Sequence, residues 1–306
     1  MSLSLIQTAL ELGLICSLTT LALFLSYSML NVCDLSTDGC FTFGAVVGAV
    51  VVLSGHPLLS IPAAMLAGAC SGFVTALLQT RMGINSLLAG IIVNRALYSV
   101  NIGAMGGKAQ LNMYKTTTIF TMVRDLLKNT PLAGMNELVI ALVAVALVIT
   151  LLTLFLRTRL GMAIRATGDN PDMVRSSSIN PVFTTTVGLC VANAITGLSG
   201  CLLAQSQSSV NSDLGSGMVT IALASLLIGN TLMGKGSILF RAVGMVVGSF
   251  LFQMVYSIAL RLNMPAFMLN LMSSVIVTLA IFVPYLKEQL PTLRRRLAGR
   301  KGEPAC

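Results

Sequence analysis

Long apolar runs separated by short polar segments extend along nearly the whole chain. Several runs are about 20 residues long, which is the length that an α-helix needs to cross the hydrocarbon layer of a bilayer. Transmembrane β-strands would alternate between apolar and polar residues, whereas a run such as 138–156 is continuously apolar. The pattern therefore predicts an all-α fold, a polytopic transmembrane helical bundle of about nine spans, within a range of roughly eight to ten.

The predicted spans cover residues 5–30, 41–53, 58–79, 84–102, 138–156, 182–203, 218–232, 238–260 and 267–286. Two of them, 41–53 and 218–232, are short for a bilayer and are flanked by Gly, Ser and Asp. Short, Gly-interrupted segments in the two halves of a transporter indicate broken helices around a path.

Small residues also recur four positions apart inside several predicted spans. In lipid, such spacing favours close approach of two helix backbones, so these positions predict packed helix faces. The pairs are Gly44 with Gly48, Gly68 with Gly72, and Gly244 with Gly248.

Composition excludes an ordinary soluble protein. Apolar residues make up 55% of the chain and charged residues only 9%, against about 25% charged in an average soluble domain. The net charge of +9 comes from Lys and Arg between the apolar runs and in the last 20 residues, which is typical of membrane topology and not of nucleic-acid binding. The single histidine, His56, and seven cysteines without a CxxC pair predict neither a catalytic site nor a metal site.

Basic residues also predict the orientation. The loop 157–181 and the tail 287–306 are both rich in arginine, so we expect both to be cytoplasmic, with four spans between them. When the spans are counted back from the loop 157–181, the segment 106–137 and the amino terminus lie outside. The segment 106–137 carries lysines, which are more common in cytoplasmic loops. We therefore expect this external segment to be partly amphipathic. Residues 1–286 then form one transmembrane domain, and 287–306 form a basic cytoplasmic tail.

Polar residues at bilayer depth are the first candidates for function, because an ionisable group in hydrocarbon is costly unless it is paired or hydrated. Asn94 and Arg95 lie near the middle of the span 84–102. They predict either a hydrated path or a buried network that fixes helix packing. Asp34, Ser36 and Asp38 either cap a broken helix or line the same path.

The segment 229–236 lacks one residue of a phosphate-binding loop. Its Gly-Lys pair is followed by Gly236, where the motif needs Ser or Thr to bind Mg²⁺. It also follows an apolar span and not a strand. We therefore expect no nucleotide and no cofactor to be bound by this chain.

The loop 157–181 carries the strongest local signals. Asn170 is a good N-cap, Pro171 fits the first helical position, and Asp172 suits the positive end of a helix, which predicts a short helix over 171–178. Asn180 and Pro181 form the same pair of N-cap and first helical residue, which predicts the start of the next span. A two-turn helix held between membrane helices is suited to docking into a groove of a partner.

This loop resembles the coupling segment of ABC importer permeases of the branched-chain amino acid and ribose type. Their pattern of Gly, Arg-Ala, Gly and Asn is matched here by Gly161, Arg165, Ala166, Gly168 and Asn170. The segments 34–39 and 43–45 are similar to the family's DLSVDG and LGA elements, and 87–91, 97–102 and 223–229 are similar to the subgroup of tryptophan and tyrosine transport permeases. Three features depart from the pattern. Ser178 stands where the family has Gly, Arg95 stands where a neutral residue is expected, and the external stretch 205–213 is more polar than expected.

The resemblance implies a permease subunit in the bacterial plasma membrane, with a cytoplasmic carboxyl terminus. It forms a homodimer around a central path, receives solute from an extracytoplasmic solute-binding lipoprotein, and is driven by a separate cytoplasmic ABC ATPase that holds ATP and Mg²⁺. It implies coupling to the ATPase by Arg159, Gly161, Arg165, Ala166, Gly168, Asp169, Asn170, Asp172 and Arg175. The translocation path is expected at Asp34, Ser36, Asp38, Asn85, Asn94 and Arg95.

One rival function is an ion-coupled secondary transporter that works without an ATPase. That function needs a relay of intramembrane carboxylates, for which Glu11, Asp34 and Asp38 are the candidates. The solute itself rests on the resemblance, which implies an amino acid, aromatic in the subgroup named. A nucleoside or a sugar is the alternative, because no residue of the sequence discriminates among them.

Overall fold

A computed structural model describes residues 3–114, 116–127, 135–234 and 236–261, with scattered positions between 271 and 282. The elements in chain order are α1 (Leu3–Leu23), continued by a π-helical segment (Phe24–Met29), α2 (Thr37–Leu53), α3 (Ser60–Thr80), α4 (Ser86–Ala104), β1 (Gln110–Asn112), α5 (Ile119–Leu127), α6 (Asn136–Arg157), α7 (Arg159–Asp169), α8 (Pro171–Ser176), α9 (Pro181–Gln207), β2 (Ser209–Asn211), α10 (Met218–Met233) and α11 (Ile238–Arg261).

The apolar runs form helices as predicted. Within the described ranges, α1 with its π-helical continuation, α3, α4, α6, α9 and α11 are long and apolar enough to cross a membrane, and α2 and α10 are shorter apolar helices. These helices correspond to eight of the predicted spans. The remaining one, 267–286, and the tail 287–306 lie almost wholly outside the described residues, so the count of nine stays a prediction.

One local prediction was wrong. Residues 159–169, interpreted as loop, form α7, which begins because Thr158 caps it by accepting a hydrogen bond from the Gly161 N–H at 3.2 Å. The all-α bundle agrees with the structure, to which two three-residue strands, β1 and β2, add a small antiparallel pair. The segment 106–137 contains β1 and the amphipathic helix α5, in agreement with the expected amphipathic character.

Helix α9 lies at the centre of the bundle, packed against α3 and α2 along much of its length and also against α1. The glycines predicted to mark packed faces lie at these contacts. A Cβ built on Gly68 would lie 2.1 Å from the carbonyl oxygen of Asn193, and one on Gly44 would lie 2.3 Å from the Cα of Gly197. On the other side of the bundle, Gly248 of α11 meets Ser225 of α10 in the same way. Only residues without a side chain permit these backbone approaches.

The predicted cytoplasmic and external segments lie at opposite ends of the bundle. At one end, Arg81 and Asn180 line one cleft while Arg165 and Arg241 line another. At the other end, Gln205 donates to the Ser60 hydroxyl at 2.8 Å and accepts from the Ile119 N–H at 3.0 Å. Segments predicted to lie on the same side of the membrane are thus found at the same end of the bundle, as expected from the positions of the basic residues.

Candidate functional site

The two short helices meet at their amino-terminal ends. Asp38, in the first turn of α2, accepts hydrogen bonds from the backbone N–H of Val219 at 2.8 Å and of Gly217 at 3.2 Å. It therefore caps α10, and the Gly215 N–H donates to the Thr42 hydroxyl at 3.0 Å beside it. The free N–H groups of a helix start carry partial positive charge, so the junction of two such starts favours a negative group.

A cavity of about 300 Å³ opens beside this junction. It lies against the middle of α4, because Asn94 and Arg95 are halfway between Ser86 and Ala104. Its wall is mostly polar, and the lining residues are Asp38, Gly39, Thr42, Asn94, Arg95, Tyr98, Asn101, Ser212, Asp213 and Ser216. Because α4 is long and apolar enough to cross a membrane, the cavity lies near mid-depth, where polar side chains are rare and face either a hydrated cavity or other polar groups.

Charges of both signs line this cavity. The Arg95 side chain is exposed and makes no hydrogen bond or ion pair with the described part of the chain. Two carboxylates, Asp38 and Asp213, lie on the same wall, and the exposed Tyr98 ring follows Arg95 by one turn of α4. The cavity can therefore receive a small ligand that carries an anionic and a cationic group, with an aromatic surface beside them.

Two of the predicted path residues lie elsewhere, in a buried network. One oxygen of Asp34 accepts from the Ser36 N–H at 2.8 Å and from its hydroxyl at 2.6 Å, and the other accepts from the Asn193 amide at 2.7 Å. The Thr75 hydroxyl donates to that of Ser36 at 3.2 Å. Neither Asp34 nor Ser36 lines the cavity, so both fix the break between α1 and α2 against α9.

Asn85 also lies apart from the cavity. It caps α4 by accepting from the Leu87 N–H at 3.0 Å, at the end of the bundle that carries α7 and α8. Of the six predicted path residues, the structure thus brings together Asp38, Asn94 and Arg95. No group of three or more His, Cys, Asp or Glu side chains in the described ranges is placed to hold a metal ion.

Sequence reasoning missed seven lining residues of the cavity. These are Gly39, Thr42, Tyr98, Asn101, Ser212, Asp213 and Ser216. The polar character of the segment that follows α9 was the available signal. Nothing local in that segment indicates that it turns back through Gly217, which has a left-handed φ of 82°, to meet α2.

The second candidate site is the pair of helices between α6 and α9. Asn170 caps α8 as predicted, accepting from the N–H groups of Asp172 and Met173 at 3.1 Å each. The helix ends at Ser176, two residues before the predicted end. Asp172 and Arg175 form an exposed ion pair at 3.2 Å. This surface is therefore preformed and open to a partner.

The matched family residues of this segment divide into packing and surface positions. A Cβ on Gly168 would lie 2.2 Å from the Met29 carbonyl oxygen, and one on Gly161 would lie 2.3 Å from that of Phe155, so both glycines fix α7 against the bundle. Arg165 and Ala166 face a cavity shared with α11. The remaining positions are exposed, namely Arg159, Asp169, Asn170, Asp172 and Arg175.

Comparison with known proteins agrees with this architecture. A tyrosine transport system permease protein of Clostridioides difficile is 32% identical over 266 residues, which cover 87% of this chain and 86% of that protein. A ribose import permease protein of Escherichia coli is 24% identical over 83% of this chain and 78% of its own length. A nucleoside ABC transporter permease protein of Lactococcus lactis is 28% identical over 58% of this chain and 51% of its own length.

No solved structure is significantly similar to this chain. The family described as permease components of branched-chain amino acid transport systems matches residues 5–284, which confirms the family that the motifs indicated. The chain therefore belongs to this family of ABC importer permeases.

Proposed function

We propose that this chain is the membrane-spanning subunit of an ATP-driven importer of an amino acid with an aromatic side chain. The observation that carries the proposal is the polar cavity at the junction of α2 and α10, which is lined by Arg95 together with Asp38 and Asp213. A free amino acid carries one charge of each sign on adjacent groups. A cavity with one arginine and two carboxylates fits that pattern better than it fits a neutral sugar.

The lining residues of the cavity indicate the orientation of the bound amino acid. Its carboxylate binds the guanidinium of Arg95, which is not engaged by another described residue. Its ammonium lies toward Asp38 and Asp213, and its ring lies against Tyr98. The tyrosine permease among the relatives supports the aromatic side chain.

The partners follow from the family. Two copies of the chain form a homodimer around the path, an external binding lipoprotein delivers the solute, and a cytoplasmic ABC ATPase docks on α7 and α8. ATP and Mg²⁺ bind to that ATPase. Because ATP binds the two states of the ATPase with different affinity, it biases the attached helices between inward and outward access.

The first experiment tests the energy source. The tagged chain is purified in mild detergent, its companions are identified by mass spectrometry, and the complex is reconstituted with its binding protein for uptake of labelled L-tyrosine. We expect an ATPase with a phosphate-binding loop in near-equal amount and uptake that requires ATP. Uptake by the chain alone, driven by an ion gradient, would instead establish the secondary-transporter alternative.

The second experiment tests the solute and its site. Tyramine lacks the carboxylate of tyrosine, and 3-(4-hydroxyphenyl)propionate lacks its ammonium, so both should compete poorly with L-tyrosine in the complex. Arg95→Met should weaken binding of L-tyrosine about ten- to hundredfold, as expected for a charged hydrogen bond. The exposed Arg81, which follows α3 outside the cavity, provides the matched control Arg81→Met. Competition by ribose or uridine as strong as that by tyrosine would contradict an amino-acid substrate.

A further inference from the structure

A second polar cavity lies at the end of the bundle that carries α7 and α8. It has a volume of about 370 Å³ and is formed where the π-helical end of α1 meets α7 and the first turn of α11. Its lining residues are Ser28, Met29, Met162, Arg165, Ala166, Asp169 and Arg241. It is separate from the amino-acid cavity, with which it shares no residue.

Two arginines from different helices face this cavity without a protein acceptor. The Nε atoms of Arg165 in α7 and Arg241 in α11 are both buried, and neither finds a hydrogen-bond partner within the described ranges. Arg241 is held by Phe24, since its guanidinium carbon lies 5.1 Å from the centre of that ring. A buried cationic donor without an acceptor is costly, and two such cations also repel each other.

The carboxylate on the wall does not neutralise this pair. Asp169 is the single acidic residue among the lining residues, and it forms no ion pair with either arginine in the described structure. The cavity therefore has an excess of positive charge. The donor geometry of two guanidinium groups matches a phosphate oxygen pair better than a single carboxylate.

The surroundings of the cavity are apolar and exposed. Leu239, Phe240 and Val243, on the α11 turns that carry Arg241, have 46%, 48% and 39% of their surfaces exposed, and Met162 has 50% exposed. Because α11 is long and apolar enough to cross a membrane, its exposed apolar side chains are suited to contact with acyl chains. A ligand that suits both the cavity and this apolar surface combines an anionic group with apolar tails.

We propose that Arg165 and Arg241 bind the phosphate group of an anionic phospholipid. Basic pockets between transmembrane helices on the cytoplasmic side are suited to such headgroups. The bound phosphate neutralises the repulsion between the two arginines and connects α7, in the coupling segment, to α11. This site goes beyond the import function proposed above and does not depend on it.

The test measures lipid retention and thermal stability of the full chain in detergent. Phosphatidylglycerol, zwitterionic phosphatidylcholine and inorganic phosphate are added separately to the delipidated wild type and to Arg165→Gln, Arg241→Gln and Arg159→Gln. Arg159 is an exposed arginine of the same helix α7, so Arg159→Gln removes the same charge outside the cavity. Native mass spectrometry counts the bound lipid, and a melting curve gives Tm.

We expect phosphatidylglycerol to bind the wild type and Arg159→Gln at least about tenfold more tightly than it binds the two cavity variants, and to raise Tm by about 5 °C only where it binds. Phosphatidylcholine should have little effect. Without lipid, Arg165→Gln should melt no lower than the wild type, because it removes a like-charge repulsion. Arg241→Gln also loses the contact with Phe24, so for each variant the shift in Tm is measured between its own lipid-free and lipid-bound samples. Equal retention by all four proteins, or an equal loss in Arg159→Gln, would overturn the site.

The samples with inorganic phosphate show whether the two arginines bind the phosphate group of a lipid or a free phosphate ion. If millimolar phosphate stabilises the wild type while phosphatidylglycerol does not, the site binds a free anion and the lipid assignment is wrong. A photoactivatable phosphatidylglycerol gives a measurement that needs no variant. It should label the wild type within α7 or the first turns of α11, and labelling confined to other helices would contradict the proposal.

Discussion

Asp34 and Asn193 lie 159 positions apart in the sequence, yet the Asp34 Oδ2 accepts a hydrogen bond of 2.7 Å from the Asn193 amide. Both side chains are buried, with 2% and 1% of their surfaces exposed. The other oxygen of Asp34 binds Ser36, the N-cap residue of α2. This contact therefore fixes the start of α2 to the middle of α9, and through it the position of Asp38 at the polar cavity.

We predict that Asn193→Ala destabilises the protein by about 1–3 kcal/mol, because it removes a donor from a buried carboxylate. The free energy of unfolding is measured by titration with a denaturing detergent in mixed micelles. Asn230→Ala provides the control, since Asn230 is exposed on α10. A loss no larger than that of the control would mean that the contact between Asp34 and Asn193 contributes little to folding.

We also predict that Gly68→Ala destabilises the bundle by about 1–3 kcal/mol, the usual cost of overpacking. The added methyl group would lie 2.1 Å from the Asn193 carbonyl oxygen, so α3 and α9 must move apart. Gly103→Ala, in α4, meets no atom within 4 Å and should be neutral or slightly stabilising. The measurement is the Tm of both variants from melting curves. Equal Tm values would contradict close packing of α3 on α9.

Features that depend on local sequence were predictable. The apolar runs indicated the long helices, and Asn170 and Asn180 were recognised as caps because a capping residue acts within three positions. The roles of Asp34 and Ser36 were not predictable, because capping and path lining use the same residue types. In the structure, Asp34 is bound to Asn193 in a buried network away from the cavity. That Asn193 lies close to Asp34 follows only from the packing of α9.

Helix α7 was missed for a related reason. Gly161 and Gly168 lower its intrinsic helical propensity, and the segment has mixed polarity. In the fold the same glycines allow close contact with Phe155 and Met29, and this packing compensates for the weak propensity. The partners of Asp38, Gly217 and Val219 at the start of α10, were missed because they lie 179 and 181 positions away in the sequence, and such contacts follow only from the packing of the helices.

The docking surface gives a third prediction, which rests on the proposed ATPase partner. Met173 is 52% exposed at the start of α8, where an apolar side chain can enter a groove of the ATPase. We expect Met173→Glu to weaken association with the ATPase at least about tenfold, as buried interface anchors do, while the exposed position preserves the fold. Co-purification yields and Tm are the two measurements. Met135 is an exposed methionine at the opposite end of the bundle, so Met135→Glu is the matched control. Equal co-purification yields for the two variants would exclude α8 from the interface.

Ser178 gives the last prediction, at the position where the family pattern has Gly. Helix α8 ends in a Schellman motif, in which the Ile179 N–H donates to the Val174 carbonyl at 3.2 Å and the Ser178 N–H to that of Arg175 at 3.2 Å. Ser178 has a φ of 62°, a left-handed conformation that costs a residue with a Cβ about 1 kcal/mol.

Ser178→Gly should therefore stabilise the protein by about 0.5–1 kcal/mol and raise Tm by a few degrees. Ser177→Gly is the control, because Ser177 has a φ of −88°, where glycine brings no relief. There glycine increases the loss of chain entropy and removes the hydrogen bond of 3.1 Å that the Ser177 hydroxyl donates to the Met173 carbonyl. The two substitutions should shift Tm in opposite directions. A decrease for both would mean that Ser178 contributes a contact worth more than its backbone strain.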